Sequence, residues 1–232
     1  MYFFPARKAN ERLYFTPQKR YNYGMQLQYF GLSSFKITTK GATVITDPFD
    51  KKSGLTPPRG AADILILAEK TNPLYSAVSG VSGEPFLVND PGEYDIKGVT
   101  ITGLPLKQES RYIIAYLIES EDIKILNLGH IQGFNMKEEE LEALGEIDIL
   151  IVPVGDEAVM DAATAAKVVN EVEPKIVIPS HYQIPGLSTP ANKLEKFLKE
   201  MGGKNETMEK LTIKKKELTF EETKVIILEP LR

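Results

Sequence analysis

The sequence predicts an α/β protein in which two β-sheets lie face to face beneath a covering of helices. Three observations point there. Short apolar runs of strand length fill the stretch from residue 25 to residue 127. Strand and helix patterns then alternate from residue 137 to residue 201. The chain has 232 residues, 42% of them hydrophobic, which is enough to bury such a core.

The elements follow in order. Residues 26–30 read as a strand, and 35–38 and 42–46 flank a Lys40-Gly41 turn as a hairpin. Residues 64–67 form a short apolar run opened by Asp63, the mark of a buried strand. Shorter strands at 85–88 and 99–101 bracket the turn-rich 89–93. Residues 112–119 and 123–127 make another hairpin. A helix at 137–144 precedes a strand at 147–152, and a helix at 161–172 precedes a strand at 175–179. A third helix is expected over 190–201, since Leu194, Phe197, Leu198 and Met201 share one face and Thr189-Pro190 offers a cap and a preset first turn. Strands at 207–213 and 224–228 close the chain. Asp161 and the acids after Lys137 read as helix starts, and Lys214-Lys215-Lys216 reads as a surface edge or turn.

Residues 1–24 differ from the rest. They hold seven of the twenty Phe and Tyr residues and carry a net charge of +4, against -8 for residues 25–232. No periodicity runs through them, so they are read as a disordered or peripheral extension, with 25–232 as one domain. Three readings stay open for them. They are a floppy extension or read-through upstream of a true start at Met25, an arm that packs on the body or another subunit, or a basic-aromatic arm for single-stranded nucleic acid.

Composition excludes several functions. The chain has no cysteine, so disulfides, zinc-thiolate sites and thiol nucleophiles are ruled out. A net charge of -4 makes nucleic acid an unexpected partner. No apolar run approaches the roughly 18 residues of a membrane span, and no signal peptide opens the chain, so a cytoplasmic protein is expected. Two histidines, His130 and His181, set a low ceiling on metal chemistry. No nucleotide-binding glycine loop is present, and no Gly-x-Ser-x-Gly elbow supports Ser33, Ser34 or Ser180 as a nucleophile.

Several junctions read together. Gln28-Tyr29-Phe30-Gly31-Leu32-Ser33-Ser34 is followed by Val44-Ile45-Thr46-Asp47-Pro48, then Pro91-Gly92-Glu93-Tyr94, then Leu126-Asn127-Leu128-Gly129-His130. Ile147–Gly155 and Ile178-Pro179-Ser180-His181-Tyr182 complete the set. This order resembles the metallo-β-lactamase superfamily, in the bacterial and archaeal branch of Zn-dependent hydrolases related to ascorbate-6-phosphate lactonase. The resemblance covers residues 25 to 230 and implies a four-layer αββα sandwich.

The resemblance also implies a dinuclear zinc centre carried by Ser-His-x-His-x-Asp-His after the strand ending at Leu67. Here Glu69, Thr71, Pro73 and Leu74 stand at the four ligand positions. A further family histidine, expected near residues 107–110, is missing, and His130 stands where the family has a bridging aspartate. The final histidine remains as His181, and Asp47 remains as well. A catalytic zinc needs about three protein ligands. The expectation is therefore a catalytically degenerate protein on this fold, acting as a binding, scaffold or regulatory protein without a cofactor. Its partner would be an unidentified small molecule or protein, with a homo-oligomer left open. The alternative is a metal-dependent hydrolase of lactonase or phosphoesterase type with one Zn or Fe ion at Asp47, His130 and His181, and Glu69 as a further oxygen donor. A side chain of Leu74 or Tyr75 filling the point between those donors would sink it.

Overall fold

A computed structural model describes residues 24–109, 111–202, 204–219 and 221–231. Apart from Gly24, the expected extension lies outside the described residues. In chain order the strands begin with β1 (Met25–Gly31), β2 (Ser34–Thr38), β3 (Thr43–Thr46), β4 (Gly60–Ala61) and β5 (Ile64–Ile66). They continue with β6 (Val81–Ser82), β7 (Phe86–Val88), β8 (Gly92–Ile96), β9 (Val99–Gln108), β10 (Arg111–Ser120) and β11 (Ile123–Asn127). Helix α1 (Glu138–Leu144), β12 (Ile149–Pro153), α2 (Ala162–Val172), β13 (Ile176–Ser180) and α3 (Glu195–Met201) follow, then β14 (Asn205–Met208), β15 (Leu211–Ile213) and β16 (Lys224–Leu228).

Two sheets hold nearly all of these strands. One has the order β15-β1-β2-β3-β5-β7, the other β14-β16-β13-β12-β11-β10-β9-β8, and β4 pairs with β6 as a short ribbon. Alternation explains the first sheet: Met25, Leu27 and Tyr29 of β1 are fully buried while Gln26 and Gln28 face outward. Strands β12 and β13 are buried along their whole length, as parallel strands covered on both faces must be. The sheets share one apolar core, α2 packs on β12, and the architecture is the expected αββα sandwich. On the far side of β3 and β5, Val81 packs on a second small cluster of Ile45, Ala62 and Leu65. No described helix is long and apolar enough to cross a membrane.

Three local expectations are revised. The turn-rich 89–93 ends in a strand, because β8 pairs with β9 from Gly92 onward. The single strand expected at 207–213 is two: β14 pairs with β16 in one sheet and β15 with β1 in the other, so the chain changes sheets at residues 209–210. Helix α3 starts at Glu195 rather than at residue 190. Asn192 is held outside it, its side chain donating to Asp156 at 2.7 Å and its carbonyl accepting from the Gln183 N–H at 2.9 Å. The surface turn expected at Lys214-Lys215-Lys216 is present as a single 3-10 turn over Lys215–Glu217, and the Lys215 ammonium donates from it to both oxygens of Asp148 at 2.8 and 2.9 Å. Asp161 does cap α2, accepting from the Thr164 N–H at 2.7 Å.

Candidate active site

Parallel pairing places the candidate residues. Strands β3 and β5 run parallel in one sheet, and β11, β12 and β13 run parallel in the other. Asp47 follows β3, Glu69 follows β5, His130 follows β11 and His181 follows β13. All four therefore lie beyond the carboxyl ends of parallel strands, where open α/β sheets place their ligands. Asp47 and His130 are 1% exposed and His181 is fully buried.

The backbone there is bent against preference. Leu32, Asp47 and His181 have φ of 52°, 39° and 55°, in the left-handed region that side chains with a Cβ avoid. Such residues persist only where surroundings hold them, and they gather at functional sites. The holding contacts are visible. The Asp47 N–H donates to the Ile66 carbonyl at 2.8 Å, and Asp47 Oδ1 accepts from the Ala68 N–H at 2.7 Å. The His181 N–H donates to the Leu32 carbonyl at 2.9 Å.

The side chains form one connected cluster. Tyr75 Oη is 2.6 Å from His181 Nε2, and the Tyr75 ring stacks on His130 with centroids 3.9 Å apart. His130 Nε2 is 3.1 Å from Glu69 Oε2, which also accepts from Asn72 Nδ2 at 3.1 Å. Arg111 reaches the other Glu69 oxygen at 3.5 Å. Gln108 Oε1 accepts from the N–H groups of Gln132 and Gly133, tying down the loop after His130. Nδ1 of both histidines is buried without a hydrogen-bond partner among the described residues.

Burial sets the charges. It raises the Asp47 carboxyl to about 6, partly opposed by His130 and the Ala68 N–H. It pushes His181 down to about 3, with His130 adding to the effect, so that imidazole is neutral. It raises the Tyr75 phenol well above its ordinary value. The hydrogen bond from His130 holds the Glu69 carboxyl below the usual range despite partial burial.

Glu69, His130 and His181 are linked directly or through Tyr75, and Asp47 lies near enough to His130 and Glu69 to feel their charge. Thr71 and Pro73 are exposed and Leu74 is half-buried. Ser33 donates to the Gly129 carbonyl and Ser34 to the Thr46 carbonyl, which gives both a structural role. Glu93 is exposed. Sequence reasoning did not assign roles to Asn72, Gln108 or Arg111, and no motif marks them.

The donor set suits one Zn(II) or Fe(II) ion in type: two imidazoles and one or two carboxylates. It does not suit one in position. Among the described residues no three His, Asp or Glu side chains form a group that could hold an ion. Tyr75 takes the His181 nitrogen that would face it, as the sequence reading had allowed. An ion at Asp47, His130 and His181 therefore does not fit the arrangement shown.

Comparison with known proteins supplies the class. The model of the Beta-lactamase superfamily domain matches residues 26–181. A protein of Lysinibacillus sphaericus named UPF0173 metal-dependent hydrolase is 28% identical over 197 residues, spanning 68% of this chain and 85% of that protein. A Methanopyrus kandleri protein named UPF0173 metal-dependent hydrolase is 21% identical, spanning 77% of this chain and 93% of its own. A Thermotoga maritima crystal structure, described as a Zn-dependent hydrolase of the metallo-β-lactamase superfamily, superposes with a TM-score of 0.74 at 27% identity, covering 88% of this chain and 100% of that one. These names overturn the expectation of an inactive binding or scaffold protein. The sequence reading weighed the one vacated loop most heavily, while donors from three other loops remain gathered.

Proposed function

The chain belongs to the β-lactamase superfamily, and from that premise we propose that it is a metal-dependent hydrolase with its reaction centre at Asp47, Glu69, His130 and His181. The observation that carries this reading is their placement. Four ionisable residues, far apart in sequence, are gathered beyond the carboxyl ends of parallel strands from both sheets. Relatives aligned along two thirds or more of the chain bear the name of that activity. The finer reading is a lactone or phosphoester substrate.

The chain's own groups suit hydrolysis. A carboxyl held at about 6 can take or release a proton near neutral pH, as general acid–base catalysis requires. His181 is a neutral imidazole whose Nε2 is engaged by the Tyr75 hydroxyl.

The test is hydrolysis of a panel of lactones, phosphomonoesters and phosphodiesters by protein stripped with chelator and reloaded with Zn(II) or Fe(II). Turnover restored by an ion, and abolished in His181→Ala and Asp47→Ala, is expected. Turnover that is unchanged by chelator, or absent with every ion, would overturn the proposal.

A further inference from the structure

The carboxylate of Glu69 stands against one edge of the His130 ring. Its Oε2 is 3.1 Å from His130 Nε2 and accepts from Asn72 Nδ2 at 3.1 Å, while Arg111 Nε lies 3.5 Å from Oε1. With the His130 bond, the Asn72 amide and Arg111 holding it below the usual carboxylate range, Glu69 is ionised and can only accept. The hydrogen of the contact therefore belongs to the ring, and His130 donates from Nε2. A neutral imidazole carries one hydrogen, so the lone pair of this ring lies on Nδ1. That atom is buried without a hydrogen-bond partner among the described residues.

The ring is held in this orientation. It is 1% exposed, and the Tyr75 ring stacks on it at 3.9 Å with an interplanar angle of 20°. A half-turn would set a ring carbon against Glu69 and leave a buried N–H unpaired. The holding group comes from outside the ring's own loop: Glu69 follows β5 in one sheet, whereas Arg111 opens β10 and His130 follows β11 in the other. The second imidazole is arranged the other way. The Tyr75 phenol, raised above its ordinary value by burial, keeps its proton and donates it to His181 Nε2, which takes up that ring's lone pair. Of the two imidazole lone pairs in the cluster, the one on His130 Nδ1 is left unshared.

We propose that Glu69 is the positioning residue of the reaction centre. It fixes His130 in the tautomer and orientation that keep a lone pair on Nδ1, the nitrogen that takes the proton an attacking water releases. This inference rests on the hydrolase reading for the use made of the lone pair, and on the geometry alone for where the lone pair lies.

The test is long-range 1H–15N NMR of the full-length protein at about pH 8, where an ordinary imidazole is neutral. The chain has two histidines, so His181→Ala assigns every ring nitrogen. Wild type should show His130 protonated on Nε2 and bare on Nδ1. Glu69→Ala and Glu69→Met should move both His130 nitrogens toward the averaged values of a tautomer mixture and leave those of His181 in place. Methionine nearly keeps the volume of Glu69 and carries the test if the alanine variant does not fold. On a substrate that wild type hydrolyses, either variant should lower kcat by about 10–100-fold with KM nearly unchanged. A wild-type His130 protonated on Nδ1, a variant that keeps the wild-type tautomer, or a variant that loses it with kcat unchanged would each overturn the positioning role and leave the hydrolase reading standing. No turnover of any substrate by wild type would overturn the hydrolase reading and the use of the lone pair together, with the tautomer still decided by the spectrum.

Discussion

The hydroxyl of Tyr29 accepts the backbone N–H of His181 at 3.1 Å and donates to the Leu32 carbonyl at 3.0 Å. One buried phenol thereby bridges two of the three left-handed residues at the site. Burial raises that phenol well above its ordinary value, so it stays protonated and can donate. Tyr29→Phe removes both contacts while keeping the stacked ring on Phe35. A loss of about 1–2 kcal/mol in urea denaturation is expected, because His181 retains the Leu32 carbonyl.

Asp47 and His181 give opposite pH dependences. Asp47 titrates near 6 when folded against 3.8 as its reference, so its contribution is fully present below about 4 and is lost as pH rises through 6. His181 titrates near 3 against 6.5, so its contribution is present above 6.5 and is lost as pH falls toward 3. Between pH 4 and 6 the two slopes oppose each other. Asp47→Asn should raise the calorimetric Tm at pH 8 by the equivalent of about 2 kcal/mol and steepen its fall on acidification. A lower Tm at pH 8 would contradict this account.

Gly155 lies against the site loop. A Cβ there would sit 1.8 Å from the His181 carbonyl oxygen, inside its van der Waals radius. Gly155→Ala should cost about 3 kcal/mol or more and displace the His181 backbone, read as a lowered denaturation midpoint. Gly133→Ala is the control, since nothing lies within 4 Å of its added Cβ, and it should be near neutral.

Lys215 closes over Asp148, whose Oδ2 also accepts the Lys124 N–H at 2.9 Å. The carboxylate is 4% exposed and the lysine 46%, so water screens one side of the pair. Lys215→Met should cost about 1 kcal/mol. Asp148→Ala should cost about 2–3 kcal/mol, because it also leaves the Lys124 N–H without its acceptor. Equal costs in thermal denaturation would show that the backbone bond contributes nothing.

The sandwich was legible because burial on one face or both writes directly into the order of residues. The alternation of β1 and the unbroken apolar runs of β12 and β13 are both plain in the chain. The chain's change of sheet at residues 209–210 was not, since two short strands in different sheets read like one longer strand. The start of α3 was misplaced because Asn192 is held by partners at Asp156 and Gln183, which no local pattern reveals. At the site, Asp47, Glu69, His130 and His181 are the candidates that the resemblance offers. Gln108 and Arg111 were not, because their partners lie 24 and 42 positions away in sequence and neither belongs to a motif. The absence of histidines after Leu67 was read correctly as a sequence fact and extended too far as a functional one.

The contacts that join the site loops also bear on how the molecule is made. Tyr29 and His181 are 152 positions apart, Tyr75 and His181 106, and Ser33 and Gly129 96. The first two cannot form until residue 181 has emerged, and the third needs the chain as far as Gly129. Contacts of this range carry the largest loop-closure cost and form late. The reaction centre is therefore a reporter of completed folding: during synthesis β1, β2, β3, β5 and β7 can pair with the Asp47 loop in place, but β15 and the His181 loop join only later.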